Sequence, residues 1–263
     1  MTPQALHTVV DGSGPPLVLI HGWGLGLHVF DPVVGDLARS HRVVRVDLPG
    51  CGGSRPDRCG ADLTGLARAV LAVSPRPAHW VGWSLGGLVA LAAARLAPEV
   101  VGAVTLVASN PCFAGAPDWP GVDDGTLADF ADAVTRDPAA AHARFLGFQL
   151  AGSDEARSAL RALRAACTRD GRPDGDTLEA GLALLRDTDL RAVCRRGALS
   201  CPVRAILGGA DPLVPAAVGA RLRASGRAVA LIDGAGHAPF ASHPARFVEA
   251  LAGAGNPFRA PLE

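Results

Sequence analysis

Lysine is absent from this sequence of 263 residues, and all 25 of its basic residues are arginine. Without a lysine amine the chain cannot form a Schiff base, use a lysine nucleophile or build a P-loop. The 25 basic residues balance 25 acidic ones, which gives a net charge of +0. A neutral chain gives no global reason to expect nucleic acid or an anionic membrane as a partner, so a charged partner must be recognised by a local patch.

Long apolar runs, a leader pattern and paired cysteines are missing as well. No apolar run approaches the roughly 18 residues of a membrane span, and MTPQALHTVVDGSG lacks a basic segment followed by an apolar one. We therefore expect a cytoplasmic, monomeric protein of one domain. Its six cysteines form no C-x-x-C pair and are expected to be free thiols; they are Cys51, Cys59, Cys112, Cys167, Cys194 and Cys201.

Apolar runs of strand length recur along the chain, with helical stretches between them. Continuous Val, Ile and Leu runs are typical of strands buried on both faces, and they predict an α/β fold with a mostly parallel, doubly wound sheet. Helices are expected after the third run, at 85–98, and at the end, at 244–255. The six runs are residues 16–22, 41–50, 78–84, 101–110, 203–211 and 228–237.

The strand pattern stops for about 90 residues between Asn110 and Cys201, where the sequence is rich in Ala, Arg, Asp and Leu at helical spacing. A structureless loop of this length is implausible in a compact domain. We therefore predict a helical cap at 112–195, inserted into an α/β core formed by 1–111 and 196–263.

The segment GWSLG around Ser84 follows an apolar run and precedes a helical one. It fits the pattern G-x-S-x-G, in which a sharp turn between strand and helix exposes a serine hydroxyl. An alkyl hydroxyl is a poor nucleophile at neutral pH, so Ser84 needs a base, and the base needs an acid to orient it. The sequence must supply both further along the chain, in the order Ser, Asp, His.

Two later segments meet this requirement. Asp211 in LGGADPLVP follows a predicted strand, and His237 in DGAGHAPF follows the last one, so both lie at carboxyl edges where α/β sites are built. We predict that His237 accepts the Ser84 proton and that Asp211 orients the imidazole. Asp233 is a weaker alternative to Asp211, because it precedes the histidine loop on the same strand.

The segment HGWG, residues 21–24, directly follows the first predicted strand. Acyl transfer needs two backbone N–H groups aimed at the negative oxygen of the tetrahedral intermediate. By position these are the amides of Trp23 and Leu85, whereas His21 is expected to be a structural loop residue. Because Ser, His and Asp suffice for acyl transfer, no metal and no organic cofactor is implied.

Several segments of the chain resemble the pimeloyl-acyl-carrier-protein methyl ester carboxylesterases of biotin synthesis, within the α/β-hydrolase superfamily. They are HGWGL, DLPGCGGS, GWSLGGL, SNPCF followed by DWPG, ARFLGFQ and GHAPFASHPA. The resemblance covers residues 16–252. It implies a serine carboxylesterase that cleaves the methyl ester of pimeloyl-acyl-carrier protein to methanol and a free carboxylate. It also implies that the substrate is bound by Trp23, Phe145, Leu146, Gly147, Phe148 and Gln149.

An acidic acyl carrier protein as partner requires a local cationic face on this neutral enzyme. Spacings of four and three place Arg157, Arg161 and Arg164 on one helix face, and Arg144 fits from a neighbouring segment. The resemblance favours carrier-protein docking over the alternative of a solvated charged face. The sequence departs from the family at Ala140, where another arginine is expected, and Arg136 is the candidate to replace it.

Two other functions remain open at this point. A general short-chain carboxylesterase or a carbon–carbon bond hydrolase would use the same triad, and residue chemistry does not separate these from the first assignment. A ligand-binding receptor on a hydrolase fold is disfavoured because the triad and both oxyanion donors are present. Enzymes with an aspartate nucleophile are disfavoured because the turn contains Ser84.

Overall fold

The computed structural model describes residues 6–55 and 62–253. Its strands are β1 (Thr8–Asp11), β2 (Pro16–Ile20), β3 (Arg42–Val46), β4 (Ala78–Trp83), β5 (Val101–Val107), β6 (Val203–Gly208) and β7 (Ala228–Ile232). Its α-helices are α1 (Asp31–Leu37), α2 (Leu63–Val73), α3 (Leu85–Leu96), α4 (Asp124–Arg136), α5 (Pro138–Phe148), α6 (Ala156–Asp170), α7 (Gly175–Asp187), α8 (Ala216–Ala224), α9 (Pro239–Ser242) and α10 (Pro244–Ala252). A short 3-10 helix covers Leu27–Phe30.

The strands form one sheet in the order β1-β3-β2-β4-β5-β6-β7. Only β1 is antiparallel to its neighbour among the pairings described, so the prediction of an α/β fold with a mostly parallel sheet is confirmed. Each of the six predicted runs contains one of the parallel strands. Strand β1 was not predicted, because TVVD is short and none of its residues is fully buried.

Residues along the central strands alternate between two apolar layers. On β2, Val18 and Ile20 pack with α2 and α3, whereas Leu17 and Leu19 pack with α1 and α10. This period of two covers both faces of the sheet and explains the continuous apolar runs in the sequence. The carboxyl edge of the parallel strands is then the place where a site can be built.

Four helices, α4 to α7, lie in the chain between β5 and β6, residues 108–202, which we call the insert. The start of the insert lies beside the segment that follows α7, since Cys112 forms a β-bridge with Asp189 and the Leu190 amide donates to the Pro111 carbonyl at 2.7 Å. Helix α6 packs on the 3-10 helix, and α7 contacts α3. The boundaries 112–195 of a separate cap stay a prediction.

None of the described helices is long and apolar enough to cross a bilayer. Among the described residues the cysteines are all free thiols, namely Cys51, Cys112, Cys167, Cys194 and Cys201. Cys59 lies outside the described residues.

Candidate active site

Ser84 lies at the sharp turn between β4 and α3. Its backbone has φ 54° and ψ −119°, a conformation that is costly for a residue with a side chain. The Ser84 amide donates to the Val107 carbonyl at 3.0 Å, and Ser109 Oγ donates to the Ser84 carbonyl at 2.7 Å. A Cβ on Gly82 would lie 2.2 Å from the Gly86 carbonyl oxygen, so this close approach requires glycine. The surrounding hydrogen bonds stabilise a turn that the local sequence alone would disfavour.

Ser84, His237 and Asp211 form a chain of hydrogen bonds. Ser84 Oγ is 2.9 Å from Nε2 of His237, and Nδ1 of His237 is 2.8 Å from Oδ2 of Asp211. The other oxygen of Asp211 accepts the amides of Leu213 and Val214, at 2.8 and 3.0 Å. A carboxylate that only accepts fixes the His237 proton on Nδ1, which leaves Nε2 free to receive the hydroxyl proton of Ser84. The arrangement can therefore deprotonate a serine nucleophile.

The backbone of His237 is fixed from two sides. Its carbonyl accepts from Trp83 Nε1 at 2.7 Å, and its amide donates to the Gln149 carbonyl at 2.9 Å. The imidazole is fully buried. The alternative acid, Asp233, is exposed, and its described contact is a backbone carbonyl that accepts from Arg246. The structure thus brings Asp211, and not Asp233, to the imidazole.

The loop of residues 21–24 runs beside the serine, since a Cβ on Gly22 would lie 3.1 Å from Ser84 Cβ. The amides of Trp23 and Leu85, the predicted oxyanion donors, have no protein acceptor among the described residues. Two unpaired N–H groups next to a serine can stabilise the negative oxygen of a tetrahedral intermediate.

His21 is buried between two backbone groups. Its Nδ1 donates to the Gly22 carbonyl at 2.8 Å, and its Nε2 accepts the Leu48 amide at 2.9 Å. Burial lowers the pKa of His21, with Asp47 opposing this shift, so the ring is neutral. Its bond to Gly22 orients the peptide that carries the Trp23 N–H, in agreement with the structural role expected of it.

A cavity of about 410 Å³ includes Ser84 on its wall. Its other walls come mainly from apolar side chains of the insert, and two exposed residues of opposite charge, Asp129 and Arg144, also line it. Such a cavity suits an apolar acyl chain with a polar end near solvent. The apolar lining residues are Phe113, Val122, Leu127, Phe130, Ala133, Phe145, Phe148, Leu182, Leu185 and Leu213.

Only some of the residues predicted to line the acyl channel, 145–149, line this cavity. Phe145 and Phe148 line it, but Leu146 is buried in the second apolar layer and Gly147 is exposed. Gln149 is fully buried and its side chain does not line the cavity. The reason is helical geometry, because five consecutive residues point around the helix and only positions three or four apart share a face.

Trp23 lies behind the cavity wall. Its ring packs against Phe145 and Phe130, with centroids 4.9 and 5.3 Å away, and its Nε1 donates to the Leu178 carbonyl at 2.8 Å. The sequence offered no signal for the contact with Leu178, which is 155 positions away. Trp23 thus supports the cavity wall through its side chain, in addition to carrying one of the two predicted oxyanion donors in its backbone.

The predicted docking arginines lie on two helices of the insert that contact each other. Arg144 is on α5, and Arg157, Arg161 and Arg164 are on α6. All four side chains are exposed, and none has an ion pair with a described residue. We call these four exposed arginines the arginine face.

Comparisons with known proteins agree with this geometry. The sequence model of the alpha/beta hydrolase fold family matches residues 15–244. A relative from Methylococcus capsulatus, named pimeloyl-[acyl-carrier protein] methyl ester esterase, is 45% identical over 92% of this chain and 95% of its own. One of the same name from Xanthomonas campestris is 43% identical over 94% of this chain and 97% of its own. A bromoperoxidase from Bacillus anthracis superposes with a TM-score of 0.82 at 26% identity, over 94% of this chain and 93% of its own. With a serine at the turn after β4 and a family match over most of its length, the chain belongs to the α/β-hydrolase family.

Proposed function

We propose that this protein is a serine carboxylesterase that hydrolyses the methyl ester of pimeloyl-acyl-carrier protein, as the names of its relatives indicate for them. The observation that carries the proposal is the combination of the Ser84–His237–Asp211 chain with an apolar cavity and, on α5 and α6, the arginine face. We place the reaction in the cytoplasm and the enzyme as a monomer.

Chemistry begins when His237 Nε2 takes the proton of Ser84 and Oγ attacks the ester carbonyl carbon. The carbonyl oxygen becomes an oxyanion and accepts hydrogen bonds from the amides of Trp23 and Leu85. When the intermediate collapses, His237 gives its proton to the departing methoxide, and methanol leaves. Water then attacks the acyl-enzyme with His237 again as base, which releases the carboxylate and restores Ser84. Asp211 stabilises the imidazolium in both halves.

The cavity supports one orientation of the substrate. A carrier protein is too large to enter about 410 Å³, so only the acyl chain and part of its pantetheine arm can lie inside. The methyl ester then reaches Ser84, and the thioester end points to solvent past Arg144. The apolar side chains of Phe145 and Phe148 would contact the methylene chain.

The arginine face would receive the acidic carrier protein. Exposed guanidinium groups without carboxylate partners are available for bidentate bonds to acidic side chains. Rim charges of this kind chiefly raise the rate of encounter and are screened by salt. Ala140, which is exposed on α5, leaves one expected charge out of this face, and Arg136 on α4 is the nearest replacement by sequence.

Purified protein with pimeloyl-acyl-carrier-protein methyl ester tests the proposal, with the free acid measured by mass spectrometry. We expect hydrolysis by the wild type and none by Ser84→Ala. In cells, the wild-type gene should restore biotin-free growth to a strain lacking its own methyl ester esterase. Hydrolysis of p-nitrophenyl esters but not of the carrier-protein ester would instead assign a general short-chain esterase. No hydrolysis of either ester by folded protein would point to a ligand-binding receptor.

A further inference from the structure

The insert makes two hydrogen bonds to the loop that carries the proposed oxyanion donor. One is the bond from Trp23 Nε1 to Leu178. The other joins Nε2 of His142, on α5, to the Gly24 carbonyl at 2.6 Å. The two residues of this second bond are 118 positions apart, and no motif in the sequence indicates their contact.

His142 is placed to hold this contact firmly. His142 is buried, with only 4% of its surface exposed, and its ring centroid is 5.8 Å from that of Trp23. Burial lowers the pKa of His142, and nearby Arg172 lowers it further, against the effect of the Gly24 carbonyl. A neutral imidazole can donate to a carbonyl only through its protonated nitrogen, so the tautomer has its proton on Nε2.

Gly24 directly follows Trp23 and has φ 71°, a left-handed conformation in which its carbonyl is turned toward the insert. The peptide that carries the Trp23 N–H is oriented by His21 from the core, and Gly24, the residue after Trp23, is held by His142 from the insert. The donor is therefore fixed on both sides, and only one of the two supports belongs to the α/β core.

We propose that His142 is a positioning residue for the oxyanion hole, which acts through Gly24 on the direction of the Trp23 N–H. The inference rests on the proposed esterase chemistry but not on the identity of the substrate. It assigns to the insert a share in transition-state stabilisation in addition to shaping the cavity. Substrate need not touch His142 for this effect.

The expected size follows from what an oxyanion donor contributes. Removing a whole donor costs roughly 100- to 1000-fold in kcat, and small misplacements of a catalytic group also lower rates. A Trp23 amide that remains present but less well aimed should cost about 10-fold in kcat. Because the donor acts on the tetrahedral oxygen and not on the bound ester, KM should change little.

The test compares His142→Met, which keeps apolar volume but has no donor, with His142→Gln, whose amide can donate from a similar position. Val134→Ala is the matched control. Val134 is fully buried in the insert on α4, does not line the cavity, and forms none of the described hydrogen bonds to residues 21–24. Each variant is assayed with p-nitrophenyl acetate. Each is also assayed for binding of a short-chain trifluoromethyl ketone, which forms a tetrahedral adduct on a serine nucleophile.

We expect His142→Met to lower kcat about 10-fold and to weaken binding of the trifluoromethyl ketone by a similar factor. Its KM should stay within about twofold of the wild-type value. His142→Gln should recover to within about threefold of wild type, and Val134→Ala should keep both values despite lower stability. Unchanged kcat and inhibitor affinity in folded His142→Met would overturn the inference, as would equal losses in Val134→Ala. Lack of esterase activity in the wild type would instead reject the proposed function, so the two failures are distinguishable. If His142→Met does not fold, failure of soluble His142→Gln to keep the inhibitor affinity decides against the proposal.

Discussion

The backbone amide of His237 donates a hydrogen bond to the carbonyl of Gln149, 2.9 Å away. Gln149 is the C-cap residue of α5, in the insert, whereas His237 lies on the loop after β7. The bond joins the end of a helix, where carbonyls lack helical partners, to the proposed general base. Gln149 therefore contacts the site through its main chain, although the family resemblance implies a side chain in contact with substrate.

The side chain of Gln149 gives a prediction about stability. Both its amide oxygen and its amide nitrogen are buried without a hydrogen-bond partner among the described residues. Because buried polar groups without partners are destabilising, Gln149→Leu should raise the free energy of unfolding by about 1 kcal/mol. Urea unfolding followed by circular dichroism measures this change. A loss of stability instead would mean that the amide has partners, such as buried water.

Replacement of the proposed nucleophile or base should remove esterase activity. Ser84→Ala and His237→Ala should each lower kcat by roughly 10⁴ to 10⁶, because the members of such a unit act together. Steady-state hydrolysis of p-nitrophenyl acetate measures the loss, and circular dichroism checks the fold. Ser225→Ala, at the C-cap of α8 and outside the cavity lining, is the matched control and should retain wild-type rates. More than about a tenth of wild-type kcat in Ser84→Ala would contradict the role of Ser84.

Charge reversal on the arginine face should separate docking from chemistry. Arg157→Glu with Arg161→Glu should lower kcat/KM for the carrier-protein ester about 10-fold or more, and change that for a p-nitrophenyl ester less than about threefold. Raising salt should bring the wild type toward the variant on the carrier-protein ester alone. The same change in charge at Arg221 and Arg223, exposed on α8, is the control. Equal losses on both esters would show that the arginines support the fold instead.

Ala140 offers the opposite experiment. It is exposed one turn before Arg144 on α5, so Ala140→Arg places two cations on one face of the helix. We expect kcat/KM for the carrier-protein ester to rise about threefold at low salt, with no change for the small ester. Ala220→Arg, on α8, adds the same charge elsewhere and should leave both rates unchanged. An equal gain in Ala220→Arg would mean that net charge, and not a docking face, controls the rate.

The buried imidazole of His79 should make the protein less stable in acid. Burial, with added repulsion from Arg204, lowers the pKa of this imidazole to about 3. Between pH 6.5 and pH 3 the imidazole is therefore protonated in the unfolded chain but neutral in the folded chain. The free energy of unfolding falls as the pH drops from the ordinary histidine pKa of about 6.5 toward 3. Between pH 7 and pH 5 the loss from this group should be about 2 kcal/mol. Urea titrations at both pH values should show a smaller loss in His79→Gln, and an unchanged loss would assign the acid sensitivity to other groups.

The sequence predicted the parts of the site that local chemistry requires. Ser84, Asp211 and His237 follow β4, β6 and β7 in turn, and parallel strands bring their carboxyl ends to one edge, so chain order sufficed to group them. The run 145–149 was harder to interpret, because a sequence match does not say which face of α5 meets the cavity. The bond between His142 and Gly24 had no sequence signal, since it depends on how the insert packs over the core.

The contact between Pro111 and Leu190 makes residues 112–189, with helices α4 to α7, a unit that could be exchanged between hydrolases. Because Pro111 and Leu190 already meet, a foreign segment could be spliced there without opening the sheet. Such a chimaera would gain a new acyl cavity but would lose the bond from the His237 amide to Gln149 and the bond from His142 to Gly24. Grafting for altered substrate range should therefore transplant a donor for Gly24 and a helix-terminal acceptor for His237 together with the new lining. Without them, specificity would change at the expense of turnover.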